Sequence, residues 1–405
     1  MQPFFRRYLD FLRQPDVATL MVVALLSRMP IGMVGFAMLM FLREHLGSFT
    51  LAGSASGIFF LSMAIAAPIQ GRLIDRKGPR LPLIVTGLVQ PIALACVIAS
   101  TLAGMSFAVV AIAVAVSGAF AQPITVLTRT IWRHRFESEE DRRTAFSLDS
   151  VLIEINFTAG PAIIALVLAV FGTTVAFGLA IGVVVASFVI YQVSPALSYF
   201  KREPAGERHF LGPLTEPRLW LLFLASFGLT TSFGLLEVGY PGYGTYLGSP
   251  ATAGLLLALN GLGSAFGGAI FGGLRLKLPV ERQFVAAMGL MTIPLLLHLP
   301  VIDVPVLFAV VAFLAGMLIA PSIASQSVLV SRLAPAKYAT EAFTWSSTFI
   351  VTGLGAGMAL GGTLIETYGL PSVFATAAAL AFAMALLAFA LPVSPAPSVS
   401  PRPAE

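Results

Sequence analysis

Apolar runs of about helix-spanning length, separated by short polar turns, organise the chain from Val17 to Leu391. Breaks at charges, Gly/Pro turns and polar clusters place these runs near 17–41, 50–70, 81–100, 105–128, 145–171 and 175–194. Six more follow near 219–247, 251–274, 283–300, 305–331, 341–366 and 371–391. An α-helix needs ~20 mostly apolar residues to cross a hydrocarbon layer. Backbone groups in lipid have no water to bond, and a helix satisfies them within the segment. The pattern therefore predicts an all-α membrane protein with twelve transmembrane helices.

The ends read differently. In the first 16 residues, Phe4, Phe5, Tyr8, Leu9 and Leu12 fall at helical spacing among charges, with no small-residue cleavage site after them. This predicts a cytoplasmic interfacial helix over 1–16 rather than a cleaved signal. Residues 195–218 read as a cytoplasmic linker, and the Pro-rich 392–405 as a disordered tail.

Composition agrees with lipid as the main solvent. The 405 residues are 57% hydrophobic and 11% charged, against about a quarter charged in soluble domains, and the mean hydropathy is +0.91. A net charge of +5 could suggest nucleic acid, but no basic stripe with interleaved aromatics occurs. With the amino terminus on the cytoplasmic side, 22 of the 24 Lys and Arg fall in cytoplasmic segments, the exceptions being Arg28 and Arg43. The opposite loops, such as Thr101 to Gly104, are short and uncharged. The positive-inside rule then puts both termini in the cytoplasm, as expected of a multi-pass protein of the bacterial cytoplasmic membrane.

The chain also repeats. A shift of 197 residues aligns Gly57 with Gly254, Gly71 with Gly268 and the fifth span with the eleventh, where nine of 33 positions from Ala145 to Phe177 match. Gly160 falls on Gly357, Gly172 on Gly369 and Phe177 on Phe374. Two pseudo-symmetric six-helix bundles, 17–194 and 219–391, are the expected domains, with a binding site between them at mid-membrane.

Between the second and third spans the chain reads GRLIDRKGPR, in which Gly71, Asp75, Arg76, Gly78 and Arg80 occupy signature positions. Here the chain resembles the major facilitator superfamily, in particular its bacterial drug and metabolite exporters. The resemblance implies that this loop is a cytoplasmic latch, with Asp75 bracing the start of the eleventh span near Thr340 and Glu341, and Glu341 facing the loop arginines. The matching loop of the second half, from Gly272, lacks the Asp-Arg pair. Gly160-Pro161 in the fifth span resembles part of an exporter motif, but Ile164-Ala165 stand where a glycine pair is expected. The Arg common in the fourth span of proton-linked exporters is replaced by Val114, four residues before Gly118.

A charge at mid-helix costs about 2.5–3.5 kcal/mol on insertion scales, so those that persist usually face a partner or a wet cavity. Arg28, Glu154 and Glu237 are the candidates. Arg28 lies about 16 Å into the first span and Glu154 about 14 Å into the fifth from the same side. An ion pair, or a bridge through substrate, is expected between them, with Glu154 exchanging a proton; a static packing pair is the alternative. On a helical wheel Ser147, Ser150, Glu154 and Thr158 share one face of the fifth span and Asp149 and Asn156 the other. Glu237 precedes Gly239, Tyr240, Pro241, Gly242, Tyr243 and Gly244, which predicts a broken helix and an external gate with Tyr240, Pro241 and Tyr243 as its parts. Gln122, Asn260 and Gln326 are candidates either for substrate contact or for interhelical hydrogen bonds.

No phosphate-binding Gly-Lys loop, zinc-binding His pair or Cys-x-x-Cys occurs, and His45, His134, His209 and His298 are scattered. The single cysteine, Cys96, lies in an apolar run and is expected to pack there. No cofactor is expected, and neither is an enzyme. The reading is a monomeric secondary transporter working by alternating access, with a small-molecule substrate, protons as coupling ion and the lipid bilayer as its partners. Proton-coupled export of a small amphipathic or hydrophobic compound is expected first; uptake of a small metabolite, or a nontransporting receptor on the same fold, are the alternatives.

Overall fold

The computed structural model describes residues 11–136, 138–200, 212–274, 276–335 and 339–392, apart from the side chains of 75, 139, 143, 339 and 340. Most of the expected interfacial helix, the centre of the linker and the tail lie outside these residues. Within them the chain is all helical. The first half holds α1 (Val17–Leu46), α2 (Phe49–Lys77), α3 (Arg80–Leu102), α4 (Phe107–Ala119), α5 (Ile124–Arg135) and α6 (Glu139–Val193). The second holds α7 (Pro217–Tyr246), α8 (Pro250–Gly273), α9 (Val280–Leu297), α10 (Pro305–Gly316), α11 (Ile319–Leu333), α12 (Ala339–Tyr368) and α13 (Leu370–Phe389).

Among the described residues, eleven helical stretches are long and apolar enough to cross a membrane. α6 is counted once, yet its 55 residues contain a non-helical Gly172 at φ 82° and ψ 174°. Gly369, one repeat later, separates α12 from α13 with φ 81° and ψ 168°. Positive φ is the conformation that glycine adopts without a Cβ penalty, so the aligned glycines mark equivalent corners. The spans expected at 105–128 and 305–331 are each interrupted, at Phe120–Pro123 between α4 and α5 and at Met317–Leu318 between α10 and α11. Gly118 and Gly316 precede these breaks and lie against the backbones of Phe59 and Asn260.

α1 lies along α6 and α7 along α12, while α2 against α12 and α6 against α8 form the main contacts between halves. Gly160 of α6 sits on Gly32 of α1, and Gly357 of α12 sits on Gly234 of α7. Between halves, Gly57 meets Gly355 and Ala359, and Gly254 meets Pro161 and Ala165. Close backbone approach through small residues is the usual way helices associate where lipid tails remove the hydrophobic drive. Cys96, expected to pack, is instead exposed on the apolar outside of α3.

At the Lys77 end, Phe11 packs on Phe136 with ring centroids 5.0 Å apart. There the Tyr199 hydroxyl donates to Asp16 at 2.7 Å, and that bond pushes the Tyr199 phenol above its ordinary pKa.

Candidate functional site: charges between the helices

Arg28 and Asp149 are both fully buried, and Arg28 Nη1 donates to Asp149 Oδ1 at 2.6 Å. Trp132 Nε1 donates to the same oxygen at 2.9 Å, and the half-exposed Arg129 reaches Oδ2 at 3.4 Å. The expected Arg28–Glu154 pair is therefore corrected: the partner is Asp149. Matching Cα depths ignored side-chain direction. Helical side chains tilt toward their own N-terminus, and α1 and the first part of α6 both start at the same end. Arg28 accordingly reaches back toward Asp149, more than one turn before Glu154. The polar faces of α6 do separate as the wheel predicts: Asp149 and Asn156 are buried, with Asn156 Nδ2 donating to the Leu25 carbonyl of α1 at 3.3 Å.

The other face of α6 meets the second half. Glu154 is half-buried and lies beside Ser264 of α8. One turn on, Thr158 lies against Gly261. Within the second half, Glu237 of α7 is also half-buried and lies within electrostatic reach of the Tyr240 hydroxyl. Tyr240 in turn receives Asn260 Nδ2 of α8 at 3.4 Å. Each half thus carries one half-buried carboxylate within its spans, and that of Glu154 faces the other half.

The family model of the Major Facilitator Superfamily matches residues 20–245 and 222–405, nearly the whole chain. The chain belongs to this superfamily. A crystal structure of the nucleoside transporter NupG, in a point-mutant form, superposes with a TM-score of 0.72, covering 92% of this chain and 99% of that one at 14% identity. At that identity the likeness is one of fold; 292 solved chains match in all. No curated protein sequence matches the chain.

As a member of the Major Facilitator Superfamily the protein is a multi-pass membrane transporter, and its remaining candidate residues can be placed on that fold. The expected break in the helix after Glu237 is absent: α7 runs unbroken from Pro217 to Tyr246 through Pro241. Its glycines serve packing instead, Gly239 lying on Val373 and Phe374, and Gly242 on Ile365 and Leu370. Neighbouring helices hold the turn together, which a local reading of Gly and Pro cannot anticipate.

Tyr240 and Tyr243 are fully buried. Tyr243 stacks on Phe308 at 3.8 Å and donates to the Ile302 carbonyl at 2.8 Å. Tyr240 lies 3.4 Å from Nε2 of His298. His298, which the sequence left scattered, is fully buried and stacked on Phe374, with Nδ1 2.8 Å from the Pro294 carbonyl. Nothing in its local sequence separates it from an interfacial histidine.

The three amides all bond between helices. Gln122 Nε2 donates to the Val184 carbonyl at 3.1 Å and its N–H to Gln90 at 3.3 Å, securing the break before α5. Asn260 Nδ2 donates to the Ala312 carbonyl at 3.0 Å, and Gln326 Nε2 to Ser346 at 2.6 Å.

Of the latch residues, Gly71 and Asp75 lie on the last turns of α2, Gly78 closes that helix, and the Asp75 side chain is outside the described residues. Arg76 and Arg80 are exposed, and Glu341 is buried in the first turn of α12. Among the described residues no ion pair joins Glu341 to either arginine.

An apolar groove of about 490 Å³ between α8 and α10, lined by Leu255, Leu259, Val306 and Phe313, holds no titratable side chain.

Proposed function

We propose that the protein is a proton-coupled secondary transporter that works by alternating access, with twelve spans and both termini in the cytoplasm. Splitting α6 at Gly172 supplies the twelfth span, since 55 residues of helix would measure about 80 Å against a hydrocarbon layer of about 30 Å. The Lys and Arg bias assigns the Lys77 end to the cytoplasm. Contacts between the halves run from the opposite end to mid-span, through Ser48, Thr50 and Gly57 on α12 and Glu154 and Gly254 across α6 and α8. In this reading the structure is a state closed to the outside.

The observation that carries the function is the placement of Glu154 and Glu237 on opposite halves, both half-buried within the spans. A carboxylate so placed can exchange a proton while the pathway switches sides. Aromatic rings of Trp220, Phe223 and Phe349 cluster on α7 and α12. With these carboxylates and the amides, they suit a small amphipathic substrate. Export is the direction favoured by Gly160-Pro161. Uptake of a metabolite is the second reading, favoured by the likeness to a nucleoside transporter.

Flux in proteoliposomes, with nucleosides and amphipathic dyes as probes and pH gradients imposed in each sense, tests direction and coupling. Glu154→Gln is expected to abolish gradient-driven accumulation while leaving substrate exchange. Unchanged pH dependence in that variant would remove Glu154 from coupling.

A further inference from the structure

Glu366 lies two residues before the end of α12, and its carboxylate crosses to the start of α2 in the other half. Thr50 Oγ donates to it at 2.5 Å and Ser48 Oγ at 3.2 Å, and the backbone N–H groups of Phe49 and Thr50 lie close by. Ser48 is itself the N-cap of α2, accepting from the Leu51 N–H at 3.1 Å. The first turn of a helix has N–H groups without internal partners, and the macrodipole there attracts an anion. One half of the molecule therefore supplies the anionic cap for a helix of the other.

The contact closes a continuous seam. Below it, Gly362 lies on the Phe49 backbone, Gly53 on Met358, and Gly57 on Gly355. The equivalent seam between α6 and α8 carries no acidic residue at its matching end, from Leu166 to Thr174 or from Pro250 to Leu259. α2 and α12 are antiparallel, and each has a carboxylate two residues before its last: Asp75 before Lys77, and Glu366 before Tyr368.

We propose that Glu366 is a positioning residue that holds the outer end of the pathway shut by capping α2 across the two halves, so that outward opening requires its release. This rests on the alternating-access reading. Glu366 touches no substrate; it acts through the docking of α2 on α12.

The test places spin labels at Met105→Cys and Val304→Cys, exposed positions at the outer ends of the two halves, in a Cys96→Ser background. Distances are measured in lipid nanodiscs without substrate. Glu366→Gln is expected to raise the long-distance population about threefold relative to the short one, since these hydrogen bonds are exposed to solvent and net less than buried ones. Thr50→Val, which removes a donor and keeps the charge, should shift it the same way, and Glu366→Asp should move it back toward the parent. Distance distributions unchanged in both Glu366→Gln and Thr50→Val would overturn the proposal. Flux on the same preparations separates the two ideas. Opening without flux of any probe leaves the latch standing and removes the transport reading, whereas flux with unmoved distances removes the latch alone.

Discussion

Asp149→Ala is expected to destabilise the folded protein by about 3–5 kcal/mol, the cost of leaving one partner of a buried ion pair without its counter-charge. Asp149 has no exposure and receives hydrogen bonds from Arg28 and Trp132, with Arg129 on its second oxygen. Removing it leaves the Arg28 guanidinium buried, where Nε and Nη2 already have no hydrogen-bond partner among the described residues. Arg129 is half-exposed and can turn to water; Arg28 cannot. Asp149→Asn should fall between, because the bond from Trp132 survives and the charge does not. A double replacement, Arg28→Met with Asp149→Leu, should recover much of the loss, since well-packed apolar residues often replace a buried pair at little cost. Thermal unfolding in detergent, followed by size-exclusion fluorescence, measures all three. An Asp149→Ala protein that melts with the parent would show that the pair is not a stability element.

The second large effect concerns the glycine contacts repeated in each half. Gly160→Leu and Gly357→Leu should each destabilise by at least about 1–3 kcal/mol, the usual range for overpacking. A Cβ at Gly160 would run into the Gly32 backbone, and one at Gly357 into the Thr231 carbonyl and Gly234. Backbone cannot swing aside as a side chain can, so α1 would have to separate from α6, and α7 from α12. Gly178→Leu and Gly182→Leu are internal controls, because a Cβ at either meets nothing within 4 Å. The same melting assay should leave both controls near the parent. Equal losses at all four positions would mean that helix propensity or insertion, rather than these contacts, governs the response.

The spacing of the key glycines was legible because the backbone requires that residue type there. Gly172 and Gly369, aligned by sequence alone, turn the chain with nearly the same φ and ψ. Gly160 and Gly357, aligned by the same shift, make the same interhelical contact. Glycine is specified where a Cβ is intolerable, so its positions survive in sequence as a record of geometry. The signature loop likewise pointed to the superfamily whose model spans the chain.

The site was less legible. Charge at mid-span marked Arg28, Glu154 and Glu237 as residues that need an explanation, and the wheel separated Asp149 from Glu154. Neither observation named partners. Arg28 bonds Asp149, and Glu154 faces Ser264 across the halves, because tilt and helix neighbours decide which side chains meet. His298 joined the Tyr240 cluster from 58 residues away. Pro241 and its glycines read locally as a break, yet α7 is continuous because Phe374, Ile365 and Ala253 fill the space the glycines leave.

What could be known from the residues in order was therefore the membrane-spanning helical character, the spacing of the glycines and the family, all of which depend on composition and on spacing along the chain. Which carboxylate neutralises Arg28, that α7 stays helical, and that Glu366 caps α2 are matters of distance between segments remote in sequence. No local pattern encodes them; they follow from how tilted helices come to rest against one another.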